Sequence, residues 1–398
     1  PVVRWLSYPT IFGMCLIALI VISYIGKIKT GGIGSYIILI IAILLFSMRF
    51  SENNIVDITY GAMLYLRYPL LFIVLLNFKF SDLHYKTFIY LFLIITALLI
   101  PEAILNFVLF GKYLDITFSS LGGLWGTAAG GIFFAYASCI VMAYVLLEGL
   151  KKIHVAFFLL MYVASLIASI RSVIAFLPLI LLFIWAVKKD LLRIKGVIAF
   201  SAFISGVVLL ATMIPWGSVI ASFPIIEPFD PQYRLRYITA VLSYLASSGK
   251  IFFGAGPGSM NPGSFGSIGF MYQMLLEDNN VAGGGTNQYV RAFADFGIIG
   301  FTIYWAMLIK MIRINMKVWN LIKQIEKNYS QKIKEISLIK EISLAFFGIW
   351  IHYSAIGLFN NDIWRFDISS LVFWVFAAYI YSKRPWLQTK LDSLPTSS

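Results

Sequence analysis

Long apolar stretches run through the whole chain, separated by short segments that carry charges, glycine or proline. Within each stretch the apolar residues are continuous and do not alternate with polar ones, a pattern that favours helices over a transmembrane β-barrel. Some stretches are shorter than the roughly 20 residues of a straight membrane span, so their limits are approximate. The pattern predicts eleven spans, at residues 10–25, 36–48, 58–78, 87–110, 128–147, 155–170, 173–187, 197–214, 297–310, 342–358 and 368–381.

The amino-acid composition places the chain among membrane proteins with many spans. Hydrophobic residues make up 60% of the 398 residues, charged residues only 12%, and the mean hydropathy is +0.86. A soluble globule cannot bury that proportion of apolar surface. We therefore expect an all-α polytopic membrane protein in which residues 1–398 form a single membrane domain.

Clusters of Lys and Arg orient the predicted spans, because cytoplasmic loops are enriched in these residues. The most basic loops are 188–195, 310–340 and 383–390, and we expect them on the cytoplasmic side. Eleven spans with an inward C-terminus leave Pro1 outside. This indicates either a further span before Pro1, about twelve in all, or one span that the pattern splits or merges. The predicted outward loops are 49–57, 112–127, 215–285 and 360–367.

The net charge of +13 does not indicate a nucleic-acid partner, since the cations lie in loops between spans. Residues 311–340 form a basic amphipathic segment on the predicted cytoplasmic side, and we expect anionic membrane lipids to bind it. Cys15 and Cys139 both fall inside predicted spans, which indicates packing and neither a disulfide framework nor a metal site.

The outward loop at residues 215–285 is the longest segment outside the predicted spans, and loops of such length usually carry function. It contains a helix-like stretch at 233–246 that predicts a short amphipathic helix. The run Gly254-x-Gly256-x-Gly258 lacks the strand and helix that flank a dinucleotide site. We interpret it as tight turns, some with positive φ, that fold the loop over a cavity.

A transition from polar to apolar residues at 286–300 carries a resemblance to a known family. Nine residues separate the polar pair Thr286 and Asn287 from a Gly-x-x-Gly pair at 297–300. With the outward arginines and the glycine run that precede it, this signature resembles that of bacterial O-antigen polymerases and ligases, over residues 169–301. The resemblance implies a fold similar to the GT-C membrane glycosyltransferases.

The resemblance implies transfer of a glycan from an undecaprenyl diphosphate carrier, outside the bacterial cytoplasmic membrane, by inversion and without metal or cofactor. Ligases of the family have a histidine where this chain has Thr286. That departure favours a polymerase, which joins glycan repeats to one another, over a ligase, which transfers the glycan to lipid A core. A polysaccharide chain-length regulator is a further partner that the sequence neither indicates nor excludes. The alternative from another class is a transporter of lipid-linked oligosaccharide, which the single unmatched long loop disfavours.

Arginine is well suited to bind a diphosphate, because its planar guanidinium group is permanently charged and can donate two parallel hydrogen bonds to phosphate oxygens. We expect Arg171 and Arg234 to hold the diphosphate, and Asn287 with Thr286 to orient the reacting sugars. Each has a structural alternative, such as an interfacial turn for Arg171 or a helix cap for Thr286. A proton acceptor among Glu277, Asp278, Asp295 and Asp362 stays open. Further substrate-binding candidates are Arg236, Arg291, Gly256, Gly258, Gln288, Asp278 and Arg365.

Overall fold

The computed structural model describes most of the chain, and the part that it describes is helical, without strands. This confirms the all-α class that the continuous apolar stretches predict. The described residues are 2–49, 51, 53, 55–78, 80–110, 127–149, 152–167, 171–189, 231–260, 288–328, 334–355 and 367–393.

Eleven helices lie within the described ranges, and ten of the eleven predicted spans overlap one of them, the exception being 197–214, which lies outside the described residues. The helices are α1 (Val2–Ile25), α2 (Gly34–Met48), α3 (Ile55–Asn77), α4 (Asp82–Phe110), α5 (Thr127–Glu148), α6 (Lys152–Ile167), α7 (Arg171–Lys188), α8 (Pro231–Ser247), α9 (Gln288–Asn328), α10 (Lys334–Ala355) and α11 (Asp367–Asp392).

Four helices are long and apolar enough to cross a membrane, within the described part of the chain. They contain the stretches Ile55–Asn77, Asp82–Pro101, Tyr289–Asn328 and Glu335–Ser354. Shorter apolar helices accompany them, at Thr10–Ile25, Gly34–Met48, Ile132–Glu148, Lys152–Tyr162, Leu177–Lys188 and Ile238–Ser247. Length and composition are therefore compatible with a multi-pass membrane protein.

The chain folds into two compact units, each assembled from segments that are distant in sequence. Unit 1 comprises Pro1–Val74, Ala202–Ile309 and Gly357–Arg365. Unit 2 comprises Leu75–Ser201, Lys310–Ile356 and Phe366–Ser398.

Helix α10 is central to unit 2, where it packs against α5, α7 and α11. A Cβ atom on Gly348 would lie 2.8 Å from the Cys139 sulfur and 2.5 Å from Ile184 Cδ1, so the three helices approach closely at this glycine. Asn315 and Ser343 join α9 to α10 through two buried hydrogen bonds, with Asn315 Nδ2 donating to the Ser343 carbonyl at 3.0 Å and Ser343 Oγ donating to Asn315 Oδ1 at 2.7 Å.

The basic segment after residue 310 begins as the last part of α9, with one face buried in unit 2. Ile312, Trp319 and Ile322 are buried, whereas Arg313 and Lys317 are exposed one turn apart. Because the apolar face packs against protein, contact of this segment with lipid would depend on its charges.

Replacing Arg313 and Lys317 together by glutamine should reduce the preference of the protein for anionic lipids. Each cation near an anionic leaflet contributes about 1 kcal/mol, so the preference should fall by about 30-fold. Mass spectrometry of lipids that co-purify from mixed anionic and zwitterionic bilayers measures it. Lys340→Gln is the matched control, since Lys340 already pairs with Glu326 at 2.5 Å. An equal effect of this control would contradict the prediction.

Candidate functional site

Helix α9 is interrupted at Gly297, the first glycine of the Gly-x-x-Gly pair. Gly297 has φ 64° and ψ −170°, a backbone conformation that is almost confined to glycine. A break of this kind leaves carbonyl groups before it and N–H groups after it without helical partners. Because Gly297 lies within a candidate membrane span, protein groups must supply those partners.

The loop turn at residues 251–255 supplies hydrogen bonds on both sides of the break. The N–H groups of residues 298 and 299 donate to the carbonyls of residues 251 and 252, at 3.0 and 3.2 Å. The Ala255 N–H donates to the Ala294 carbonyl at 2.7 Å. The long loop predicted from sequence is therefore joined, through main-chain atoms, to the interrupted helix.

Two glycines permit this close approach of backbones. A Cβ atom on Gly297 would lie 2.3 Å from the carbonyl carbon of Phe252, and one on Gly254 would lie 2.5 Å from that of Asp295. Real Cβ atoms do not come so close to a backbone atom, so neither position accommodates a larger residue without displacing the turn. The second glycine of the pair, Gly300, packs in the same way against the Phe296 side chain.

The remaining glycines of the run lie against α3 and the residues that follow α2. Gly254, Gly256 and Gly258 have φ values of 77°, 98° and 85°, which confirms the predicted tight turns with positive φ. A Cβ atom on Gly258 would lie 2.2 Å from the Asp57 carbonyl oxygen, and one on Gly61 would lie 2.3 Å from the Gly258 nitrogen. Gly256 and Gly258 thus have a packing role, while their contact with substrate stays a prediction.

Asp295 lies just before the break and connects three segments of unit 1. Its carboxylate accepts a hydrogen bond from Ser259 Oγ at 2.7 Å and another from the Tyr65 hydroxyl at 2.8 Å. The Gly258 N–H also donates to it. Since the side chain of Asp295 is only 1% exposed, these groups replace water around the carboxylate.

Arg291 lies one helical turn before Asp295, and its positive charge interacts with the carboxylate. Its Nη2 donates to the Met260 carbonyl at 2.5 Å, and the residue is 5% exposed. Arg291 and Asp295 thus hold residues 258–260 from the same face of α9. We define Tyr65, Ser259, Arg291 and Asp295 as the aspartate cluster.

Asp295 is one of the proton acceptors that the sequence leaves open. In the folded chain both of its carboxylate oxygens already accept hydrogen bonds, and the residue is buried. A general base must reach the proton that it abstracts. The arrangement favours a positioning role for Asp295 over proton transfer.

Helix α8 is anchored to the same region through its apolar face. Val241 and Leu245 pack with Ala255, Met260 and Ala294 in one buried cluster. The helix ends with Gly249 at positive φ, and the Lys250 N–H returns to the Leu245 carbonyl at 2.8 Å, which terminates it in a Schellman-type turn. Both the start of α9 and the end of α8 are therefore fixed to the glycine run.

Arg67 is a charged residue that the sequence interpretation overlooked. It lies in the middle of α3, within a candidate membrane span, and is completely buried. Its guanidinium carbon lies 4.6 Å from the centre of the Tyr68 ring. A cation inside an apolar run is by itself an indication of function, and this signal was available in the sequence.

Most of the other predicted site residues lie at or beyond the edge of the described residues. Arg171 begins α7, Arg234 and Arg236 lie near the start of α8, and Gln288 begins α9, but their side chains are outside the described part. Of the predicted substrate-binding set, Arg291 and Gly258 share an interaction partner, since both act on the Asp295 carboxylate. Wholly outside the described residues are Thr286, Asn287, Glu277, Asp278, Asp362 and Arg365.

Within the described ranges no group of three or more His, Cys, Asp or Glu side chains is arranged to hold a metal ion. No model of a known protein family matches the chain, and no curated protein matches it significantly. The family resemblance therefore depends on the residues and spacings of the chain itself.

Proposed function

We propose that this protein is a membrane glycosyltransferase that joins undecaprenyl diphosphate-linked oligosaccharide repeats, as an O-antigen or related surface polysaccharide polymerase. It would act at the outer side of a bacterial cytoplasmic membrane, in a GT-C-like fold with about eleven or twelve spans. The observation that supports this most is the contact between two motifs of the resemblance. The glycine run at 254–258 and the Gly-x-x-Gly pair at 297–300 are some forty residues apart, yet their backbones meet.

The contact between the two glycine motifs would have a structural role in such an enzyme. Glycosyl transfer from a diphosphate carrier needs cations held in place before charge develops on the leaving group. Arg291 donates a hydrogen bond to the Met260 carbonyl, and its charge interacts with the Asp295 carboxylate. Arg234 lies near the start of a helix whose other end is packed on the glycine run. The outward arginines would thus approach the substrate from a rigid support.

In the proposed reaction, Arg171 and Arg234 bind the diphosphate of the growing chain, and Asn287 with Thr286 orient the reacting sugars. A hydroxyl of the incoming repeat attacks the anomeric carbon from the side opposite the diphosphate. The bond between that carbon and the phosphate oxygen breaks, and its electron pair leaves with the diphosphate. The hydroxyl proton passes to a base or to the departing phosphate, and the configuration at the anomeric carbon inverts.

One observation favours the transporter alternative. Arg67 is completely buried in the middle of a candidate span, and transport proteins place charged residues at such depths. The same charge could also bind a substrate anion in a transferase. A direct assay for a covalent product separates the two functions.

The assay combines the purified protein, in a bilayer, with lipid-linked repeats alone and then with lipid A core. A ladder of polymers from the first mixture is the expected result. A product that forms only with lipid A core would instead indicate a ligase. Absence of covalent product in both mixtures, with repeats crossing the bilayer, would overturn the transferase proposal in favour of transport.

Replacing Arg171 or Arg234 by alanine should lower the rate of polymer growth by about 100-fold or more, because each removes a cation from the developing diphosphate charge. Polymer length in membranes that contain equal amounts of protein measures the effect. Arg313→Ala serves as the control, since Arg313 is exposed on the predicted cytoplasmic part of α9. Polymers of unchanged length from both variants would remove these arginines from the mechanism.

A further inference from the structure

Unit 2 contains a pair of buried polar side chains that the proposed reaction does not use. Tyr136 lies on α5 and His352 on α10, and both are 0% exposed. Their rings meet edge to face, with centroids 5.1 Å apart and an angle of 82° between the planes. Among the residues that the structure describes, neither the Tyr136 hydroxyl nor either ring nitrogen of His352 has a hydrogen-bond partner.

Such groups are rare in folded proteins, because a buried donor or acceptor without a partner loses its hydration and gains nothing in return. A phenol can donate one hydrogen bond and accept others, and a neutral imidazole offers one donor and one acceptor. The two side chains therefore present several unused donors and acceptors within one small region.

The serine hydroxyls two residues further along each helix are already engaged by their own helices. Ser138 Oγ donates to the Phe134 carbonyl at 2.7 Å, and Ser354 Oγ donates to the Trp350 carbonyl at 2.7 Å. The backbone of α10 also packs closely against the Cys139 side chain of α5 at Gly348, one turn before His352. The polar pair is thus fixed in place, and a small molecule can supply what the surrounding helices do not.

We propose that Tyr136 and His352 form a binding site for buried water inside unit 2. Water both donates and accepts hydrogen bonds, and buried water molecules characteristically bind polar groups that the protein leaves unmatched. The site is independent of the proposed glycosyl transfer.

Radiolytic labelling in ¹⁸O-water tests the proposal, because hydroxyl radicals formed from a bound water oxidise the side chains beside it. We expect Tyr136 to be labelled several-fold faster than Met161, when each rate is divided by its rate in the denatured protein. Met161 is a suitable reference because it is also 0% exposed and lies in unit 2. Equal protection of Tyr136 and Met161 would show that the pair is dry and would overturn the proposal.

Two substitutions separate a water site from general opening of unit 2. His352→Phe removes the imidazole donor and acceptor and should return Tyr136 to the protection of Met161, whereas His352→Gln keeps a donor and an acceptor and should preserve the labelling. If His352→Phe does not fold, Tyr136→Phe with labelling read at His352 gives the same comparison. Equal labelling of Tyr136 in the Phe and Gln variants would contradict a shared water.

Discussion

Replacing Asp295 by alanine should destabilise unit 1 by about 3–5 kcal/mol, because the substitution removes a buried acceptor of three hydrogen bonds and a charge that interacts with Arg291. Arg291 would keep its charge at 5% exposure without the carboxylate, and Ser259 and Tyr65 would lose their buried acceptor. The free energy of unfolding in mixed detergent, followed through limited proteolysis of unit 1, measures the loss.

Two further variants refine this expectation. Asp295→Asn keeps a single acceptor oxygen and removes the charge, so it should cost less, about 1–3 kcal/mol. Asp392→Ala is the control, since Asp392 is an exposed acceptor at the end of α11 and its loss should stay within about 0.5 kcal/mol. The positioning role of Asp295 would be refuted if Asp295→Ala unfolded at the same detergent composition as Asp392→Ala.

The same variants separate stability from activity. If Asp295 acts by holding Arg291 and the glycine run, Asp295→Asn should raise the concentration of lipid-linked repeat needed for half-maximal polymer formation more than it lowers the maximal rate. A proton acceptor would show the reverse, with a large fall in the maximal rate. This comparison depends on the proposed transferase function, whereas the unfolding measurement does not.

Replacing Gly297 by alanine should cost about 2–5 kcal/mol, from backbone strain together with overlap of the new methyl group with the Phe252 backbone. The turn at 251–255 would have to withdraw, and the polar backbone groups at the break would lose their partners. We expect faster proteolysis within the glycine run and a lower unfolding temperature.

Gly249→Ala is a matched control for this substitution. Gly249 also has positive φ, at 69°, but no atom lies within 4 Å of the position that its Cβ would take. Its replacement should therefore cost only the strain, about 1–2 kcal/mol. If the two variants unfolded alike, the close contact between Gly297 and Phe252 would contribute nothing to stability.

The positions of helices follow well from the sequence, because a continuous apolar stretch indicates a helix without knowledge of its partners. The stretch 128–147 predicts α5 to within one residue at each end. The stretch 297–310 predicts a span that begins at Gly297, whereas α9 begins at Gln288 and is only interrupted there. In the sequence, a glycine at the edge of an apolar stretch suggests that a helix starts there. The internal break is visible only in the structure, where the loop turn packs against this glycine.

The aspartate cluster was only partly predictable. Arg291 and Asp295 lie in the signature at a spacing of one helical turn, so their proximity could be expected. Tyr65 is 230 residues from Asp295 along the chain, and nothing in its apolar surroundings indicates that partner. Arg67 was predictable as a candidate, since a cation inside an apolar run is unusual, yet its environment depends on packing that the sequence does not reveal.

The join between the loop and α9 has a consequence for recognising related chains. Its hydrogen bonds use main-chain atoms, and the Phe252 side chain at this junction is 58% exposed. Substitution of such a residue leaves the join intact. The surrounding residues can therefore change during evolution while the spacing of the glycines is kept. Sequence comparisons that give most weight to the spacing of these glycines should therefore detect distant relatives whose overall sequence identity is low.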